Sequence, residues 1–403
     1  MGFQRRTRPI RAVLIAGTRP ELIKISPVFE ALSSRRHRAI LVLSGQHYDG
    51  NMSDEFVKEL SLPRPAVTMR VGSGSHGEQT GKALIGCERA IETFKPNVVI
   101  AQGDTNTTLA AALAASKLKV PFGHVEAGLR SYDREMPEEI NRIVVDHISN
   151  LLFAPTWKSV LNLCSEGLPR NRIFMTGNTV VDACIRFSQA AEKSRILKRL
   201  DLDEDQNLVL VTAHRVANVD SKENLQGIVS SLTQLSECTV VFPVHPRARK
   251  RLQQFGLMRK LRKAGHIILT EPLSYLDLLR VLMSSKLALT DSGGIQEEAI
   301  TLHVPCLTMR LNTERPETID VGANFLVGTD PDKIVRFTRR IIGDEDFANR
   351  MRTALNPFGD GHAGERIVEG LEKAVERKNL TKTCVESPMA PLIGVPLNSG
   401  WVG

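Results

Sequence analysis

The chain reads as an α/β protein made of two doubly wound parallel-sheet domains, and three features carry that reading. Short apolar runs bounded by Gly, Pro or Asp recur along the sequence, and each is followed by a stretch of helical periodicity. The runs form two series, separated by the polar segment Glu192 to Asp205. The 403 residues suit two to three domains at roughly 150 residues each.

The first series begins with the strand Ala12 to Ala16, followed by a helix around Glu21 to Ser33 and a strand at Ile40 to Leu43. Asn97 to Ala101 is the next strand and leads into the alanine-rich helix Thr107 to Lys117; Pro121 to Val125 and Leu151 to Ala154 complete the first sheet. The second series opens with Leu208 to Thr212 and a helix from Asn224 to Leu235. Thr239 to Val244, His266 to Leu269, Leu287 to Thr290 and Pro305 to Met309 are its further strands. The expected organisation is a first domain over 1–190, a second over 191–356, a helix within 357–380 crossing back to the first domain, and an irregular tail over 381–403.

Composition excludes several classes. At 42% hydrophobic and 24% charged, with 29 Gly and 20 Pro, the chain is globular rather than disordered or fibrous. Only 5% is aromatic, which disfavours a stacking surface for nucleic acid. No apolar run is long enough to span a bilayer, and Ala12 to Ala16 is too short for a signal segment. The net charge of +8 suits an anionic partner without identifying it; the arginines at 5, 6, 8 and 11 read as a solvated end. Six scattered cysteines (87, 164, 184, 238, 306 and 384) lack metal-finger spacing and read as buried thiols of a cytoplasmic protein.

Ligands of such sheets sit beyond the carboxyl ends of the strands, and the polar signals fall there. Gly17-Thr-Arg-Pro-Glu21 allows a tight turn and aims Arg19 at an anion or at a surface ion pair; it is not G-x-G-x-x-G, so a dinucleotide site is disfavoured. Asp104, in Gln102-Gly-Asp-Thr105, is either a helix cap or an acid for chemistry. Glu126 and Arg130 follow another strand, and Glu138 and Glu139 open a helix, where acids also favour the dipole; that gives Glu139 a structural reading. Carboxylates at several ends of one sheet suggest acid/base chemistry. In the second half, His214-Arg215 and His245-Pro-Arg247 follow strands in the manner of an anion pocket. Thr290-Asp-Ser-Gly-Gly-Ile-Gln-Glu-Glu298 is a strand, a small-residue turn and a helix start, which offers backbone N–H groups to a phosphate and a Glu to two ribose hydroxyls.

Taken together, Gly17-Thr-Arg-Pro-Glu21, Gly45-Gln-His47, Gln102-Gly-Asp-Thr105, His124-Val-Glu-Ala-Gly-Leu-Arg130, Pro137-Glu-Glu-Ile-Asn-Arg142, Asp291-Ser-Gly-Gly-Ile-Gln-Glu-Glu298 and Glu314-Arg-Pro-Glu317 resemble the non-hydrolysing UDP-N-acetylglucosamine 2-epimerase family, from about residue 12 to 370. The resemblance implies a glycosyltransferase-B-like pair of Rossmann-like domains facing a central cleft that holds UDP-sugar, and a homodimer. It implies interconversion of UDP-GlcNAc and UDP-ManNAc for polysaccharide biosynthesis, by elimination of UDP to 2-acetamidoglucal and re-addition, with no metal or nicotinamide cofactor. Asp104, Glu126, Glu138 and His214 then match catalytic positions; Arg19, Lys24, Ser292, Gly293, Gly294, Glu298 and Arg315 match UDP-sugar contacts. Gln46, Arg215 and His245 match positions of a second, regulatory nucleotide-sugar site. The sequence departs from bacterial members at Ala213-His-Arg-Val-Ala-Asn218, which lacks charges beside His214, and at Gly72 to Gln79, which is closer to archaeal types. The alternatives are a 2-epimerase for a UDP-2,3-diacetamido sugar and a UDP-sugar glycosyltransferase on the same architecture. Neither nucleic acid nor membrane insertion is expected.

Overall fold

Seven parallel strands build the first sheet: β1 (Arg11–Ala16), β2 (Arg38–Leu43), β3 (Val67–Thr68), β4 (Val98–Gln102), β5 (Phe122–Val125), β6 (Leu151–Ala154) and β7 (Ile173–Met175), in the order β3-β2-β1-β4-β5-β6-β7. Six more build the second: β8 (Leu208–Thr212), β9 (Thr239–Pro243), β10 (Ile267–Thr270), β11 (Leu287–Thr290), β12 (Cys306–Thr308) and β13 (Asn324–Leu326), in the order β10-β9-β8-β11-β12-β13. The computed structural model describes residues 9–45, 56–203 and 207–376. Gln46, Cys384, the arginines at 5, 6 and 8 and the tail over 381–403 lie outside the described residues.

Each sheet has helices on both faces, which is why its central strands read as unbroken apolar runs. In β1, Ala12, Leu14 and Ala16 feed one core and Val13 and Ile15 the other; in β8, Val209 and Val211 part from Leu208 and Leu210 in the same way. The strand order reverses between β1 and β4 and again between β8 and β11, so each sheet has one crevice where the loops diverge.

Three short strands, β3, β7 and β13, add to those the sequence predicts; with two or three residues each they offer no periodicity to read. The described part of the segment between the two series, 192–203, is not wholly solvated. Ile196, Leu197 and Leu202 are buried against Leu208 and Leu210, and a short helix forms at Ile196–Arg199. Cys87, Cys184, Cys238 and Cys306 are buried free thiols, but Cys164 is exposed, on the last turn of the helix Trp157–Ser165. No helix among the described residues is long and apolar enough to cross a membrane.

Apolar contacts join the lobes. The helix Thr179–Ala191 buries Ala183, Cys184 and Phe187 in the first core, which also contains Tyr275 and Leu279 of the helix Tyr275–Met283. Val180 and Val181 meet Ile300, Ala323 and Phe358. The helix Ala363–Glu376 packs Ile367, Val368 and Leu371 into the first core, and Arg35 at the end of the helix Arg19–Ser34 bonds Glu369 and Glu372, each at 2.9 Å.

The two helices meet closely where Pro27 interrupts the helix Arg19–Ser34. Its ring lacks the N–H that the Ile23 carbonyl would receive, and the Ser26 hydroxyl donates to that carbonyl instead, at 2.8 Å. A Cβ on Gly364 would lie 2.7 Å from the Pro27 carbonyl oxygen. Gly364→Ala is expected to cost about 1–3 kcal/mol through overpacking and to lower the melting temperature; an unchanged melting curve would show that this contact yields without cost.

Candidate active site

The loops after β1 and β4 are joined by one buried carboxylate. Glu21 Oε2 accepts from the N–H groups of Gly17 and Thr18, both at 2.7 Å, while Oε1 accepts from the hydroxyls of Thr105 at 2.6 Å and Thr108 at 3.0 Å. Burial pushes this carboxyl up despite the four bonds. Gly17 is required here, because a Cβ would stand 2.3 Å from Thr107 Oγ1. Arg19, half-buried on the first turn, lies over the Phe56 ring at 5.1 Å and has no ion pair or hydrogen bond among the described residues.

One turn further along, Lys24 reaches the centre of the interlobe cleft. Its Nζ lies 2.6 Å from Glu126 Oε1 and 3.1 Å from Glu297 Oε2. Arg315 spans the same carboxylates, with Nη2 3.0 Å from Glu126 Oε1 and Nε bonded to Glu297 Oε1. Asn178, the cap of the helix Thr179–Ala191, donates to Glu126 at 2.8 Å and Glu297 at 2.7 Å, and Gln102 bonds Glu126 Oε2. All four charged groups are buried. Burial alone would raise Glu126, but Lys24 and Arg315 outweigh it and hold the carboxyl at about 2. For Glu297 burial prevails, and the carboxyl is raised.

Glu126 has φ +74°, and its own N–H and that of Ala127 both donate to the Phe153 carbonyl at 3.1 Å. Asp104 takes a two-pronged contact from Arg142, at 2.9 Å from Nε and 2.7 Å from Nη2. Arg142 also pairs with Glu139, whose carboxylate accepts from the N–H groups of Ser131 at 3.0 Å and Tyr132 at 2.9 Å. Glu139 therefore shapes the loop before its helix. Glu138 is half-buried on the same first turn, with no ion pair or hydrogen bond among the described residues. Arg130 does not enter the cleft as a loop arginine; it is buried, 2.8 Å from Asp146 and 2.7 Å from Glu166. His124 bridges Asp146, 2.6 Å from Nδ1, and the Gly103 carbonyl, 2.8 Å from Nε2, which braces the turn carrying Asp104.

In the second lobe Asp291 is the hub. It accepts from the N–H groups of His214 at 3.0 Å and Arg215 at 2.9 Å, and from Asn218 at 3.1 Å. His214 Nδ1 lies 3.3 Å from the same carboxylate, yet burial together with Arg215 and Arg310 lowers its pKa. Ser292 caps the helix Gly293–Thr301, and its N–H donates to Thr290 Oγ1 at 2.9 Å. Glu314 stands over this helix start: a Cβ on Gly293 would lie 3.0 Å from its Oε1. Burial opposes the charge on Glu314, but Arg215, Arg315, Arg310 and Arg142 hold it far below the usual range. Gly294 is open to within 3.8 Å of Ser292 Oγ. Glu298 is buried beside Tyr275, and burial raises its carboxyl to about 7. His245 is exposed at the cap of the helix Pro246–Gln254, with its ring 5.8 Å from that of His214.

Lys24, Glu126 and Arg315 are thus in direct contact, and Asp104 lies one arginine away. Arg215 reaches the same cluster through Glu314, whereas Arg19 and Glu138 stand clear of it. Glu297, Asn178, Gln102, Arg142 and Glu314 also belong to the site. Glu297 and Glu314 lie inside quoted motifs, and Asn178 has the cap-residue signature of a helix start, but nothing in the sequence pairs them with Lys24 or Glu126. A cavity of about 200 Å³ opens beside Glu314, between Ser131, Tyr132 and Lys158 on one side and Thr313 and Pro316 on the other.

A family model described as UDP-N-acetylglucosamine 2-epimerase matches residues 30–372. The UDP-N-acetylglucosamine 2-epimerase of Methanocaldococcus jannaschii is 48% identical over 360 residues, covering 88% of this chain and 97% of the relative. The UDP-2,3-diacetamido-2,3-dideoxy-D-glucuronate 2-epimerase of Pseudomonas aeruginosa is 39% identical over 369 residues, covering 90% of this chain and all of the relative. The crystal structure of the Methanocaldococcus enzyme in complex with UDP-GlcNAc and UDP superposes with a TM-score of 0.82 at 47% identity, over 90% of this chain and 100% of that one. With two such sheets, this cleft and a match along nearly its whole folded length, the chain belongs to the UDP-N-acetylglucosamine 2-epimerase family.

Proposed function

We propose that this protein interconverts UDP-GlcNAc and UDP-ManNAc by eliminating UDP and adding it back. One observation carries the reading: Asp104, Glu126 and Glu138 all sit on loops or helix starts beyond the strands of the first sheet, and across the cleft a glycine-lined helix start with His214 faces them. A carboxylate takes the C2 proton, the C2–H electron pair becomes the C1=C2 bond of 2-acetamidoglucal, and the C1–O pair leaves on the diphosphate. A carboxylic acid then protonates C2 from the other face, and the diphosphate oxygen re-adds at C1. Ser292, Gly293, Gly294, Arg19 and His214 stabilise the departing UDP. Lys24 and Arg315 turn from Glu126 to the diphosphate when substrate binds. Freed of its cations, the buried Glu126 rises toward the range of a working base.

Closure of the lobes, divided near residue 190, keeps water from the glucal. The likeness to the Methanocaldococcus enzyme exceeds that to the diacetamido-sugar relative, which favours UDP-GlcNAc. Buried free thiols and a nucleotide-sugar substrate suit the cytoplasm, and the product suits a donor for polysaccharide assembly. Exposed Ile85, and Ile140 and Val144 on the helix Pro137–Ile148, suit the interface of a homodimer.

Turnover of UDP-GlcNAc in D2O is expected to place deuterium at C2 of both epimers with no acceptor present, read by proton NMR. UDP release that requires an acceptor would assign the protein to sugar transfer instead. Glu298 is expected to receive the ribose hydroxyls as a carboxylate. Its carboxyl is raised to about 7, so the ionised form grows as pH rises through 6 to 8. The KM for UDP-GlcNAc should fall over that interval, by up to about tenfold per pH unit on the acid side. Glu298→Gln should raise KM and flatten the profile; an unchanged slope would remove Glu298 from ribose binding.

A further inference from the structure

Much of the positive charge is concentrated in one part of the molecule. Between Glu237 and Glu271 the chain contains no acidic residue, yet residues 246–266 carry eight Lys and Arg, as many as the whole net charge of +8. This segment folds as two short helices, Pro246–Gln254 and Met258–Lys263. The second packs against β10, the outer strand of the second sheet. Ala248, Leu252, Leu257, Met258 and Leu261 point inward and are buried.

Three of the eight cations have local partners. Arg247 lies 2.6 Å and Arg251 3.0 Å from Asp220, and Arg249 lies 2.8 Å from Glu271. The other five, Lys250, Arg259, Lys260, Arg262 and Lys263, are exposed and have no ion pair among the described residues. Four of them occupy a single stretch of five residues, because Met258 and Leu261 anchor that helix from beneath.

We propose that this face docks the protein on an anionic lipid surface. Five unpaired cations on flexible stems match a laterally mobile layer of charged headgroups rather than a phosphate backbone of fixed spacing. Nucleic acid is the poorer fit, since no exposed aromatic ring on these helices offers a base a stacking partner; Phe255 packs toward the core. No large apolar side chain is exposed here either. The attachment is therefore electrostatic, reversible and strongly dependent on salt. It uses none of the residues assigned to the cleft and does not rest on the proposed reaction.

The test is co-sedimentation of the full chain with phosphatidylcholine vesicles, with and without phosphatidylglycerol at about 30 mol%, in about 50 mM and about 500 mM salt. Anionic vesicles at low salt are expected to bind at least about tenfold more protein than neutral ones, and high salt should release it. The variant Lys250→Gln/Arg259→Gln/Lys260→Gln/Arg262→Gln/Lys263→Gln should lose about tenfold in binding, and Lys260→Gln/Lys263→Gln alone about threefold. Both should keep the wild-type melting temperature and UDP-GlcNAc turnover; if the larger variant does not fold, the smaller one decides. The proposal fails if wild type ignores anionic vesicles, or if the helix variants bind as well as wild type. It also fails if binding is lost only in Arg5→Gln/Arg6→Gln/Arg8→Gln, or if duplex DNA at equal phosphate strips the protein from vesicles.

Discussion

Lys24 and Glu126 come from one lobe, Glu297 and Arg315 from the other, and each carboxylate touches both cations. The contacts of Lys24 with Glu297 and of Arg315 with Glu126 cross the cleft, so the four hold the lobes in register. The arrangement is also reversible. Each lobe brings one acid and one base, and if the lobes part each retains a neutral pair rather than a stranded charge. Asn178, at the helix that packs against both lobes, bonds both carboxylates and sets their spacing.

From this centre a chain of alternating charge runs to the rim. Arg142 links Asp104 to the field around Glu314; Arg215 and Arg310 carry it to His214, and Asp291 fixes the two backbone N–H groups that position the histidine. Two further braces lie behind it, Glu21 between the loops after β1 and β4, and His124 between Asp146 and the Gly103 carbonyl. Loops at the ends of different strands are thereby held as one surface.

The two-sheet plan was legible because a parallel sheet covered on both faces makes its strands apolar throughout: Leu151–Ala154, Leu208–Thr212 and Leu287–Thr290 emerge at the bounds expected of them. Short edge strands such as Val67–Thr68 leave no such trace. Motifs beyond strand ends were legible as loop chemistry, but their pairing was not. Lys24 meets Glu297 across 273 residues and Asn178 meets Glu297 across 119, and no local pattern encodes partners so distant. Arg130 shows the same limit: its place beyond a strand was legible, but its partners Asp146 and Glu166 were not.

Glu314 gives this part of the cleft a selectivity of its own. Its carboxylate stands at the open end of the Gly293–Thr301 helix, gripped by Arg215 and Arg310, so the anion seat is filled by a group tethered to the chain. A tethered competitor has a high local concentration, on the order of millimolar or above, that a free ion must exceed to displace it. Single-charged metabolites and stray inorganic anions are at a disadvantage there. An anion of higher charge gains more from the same arginines and can win the exchange, so the place screens visitors by valence before their shape is tested.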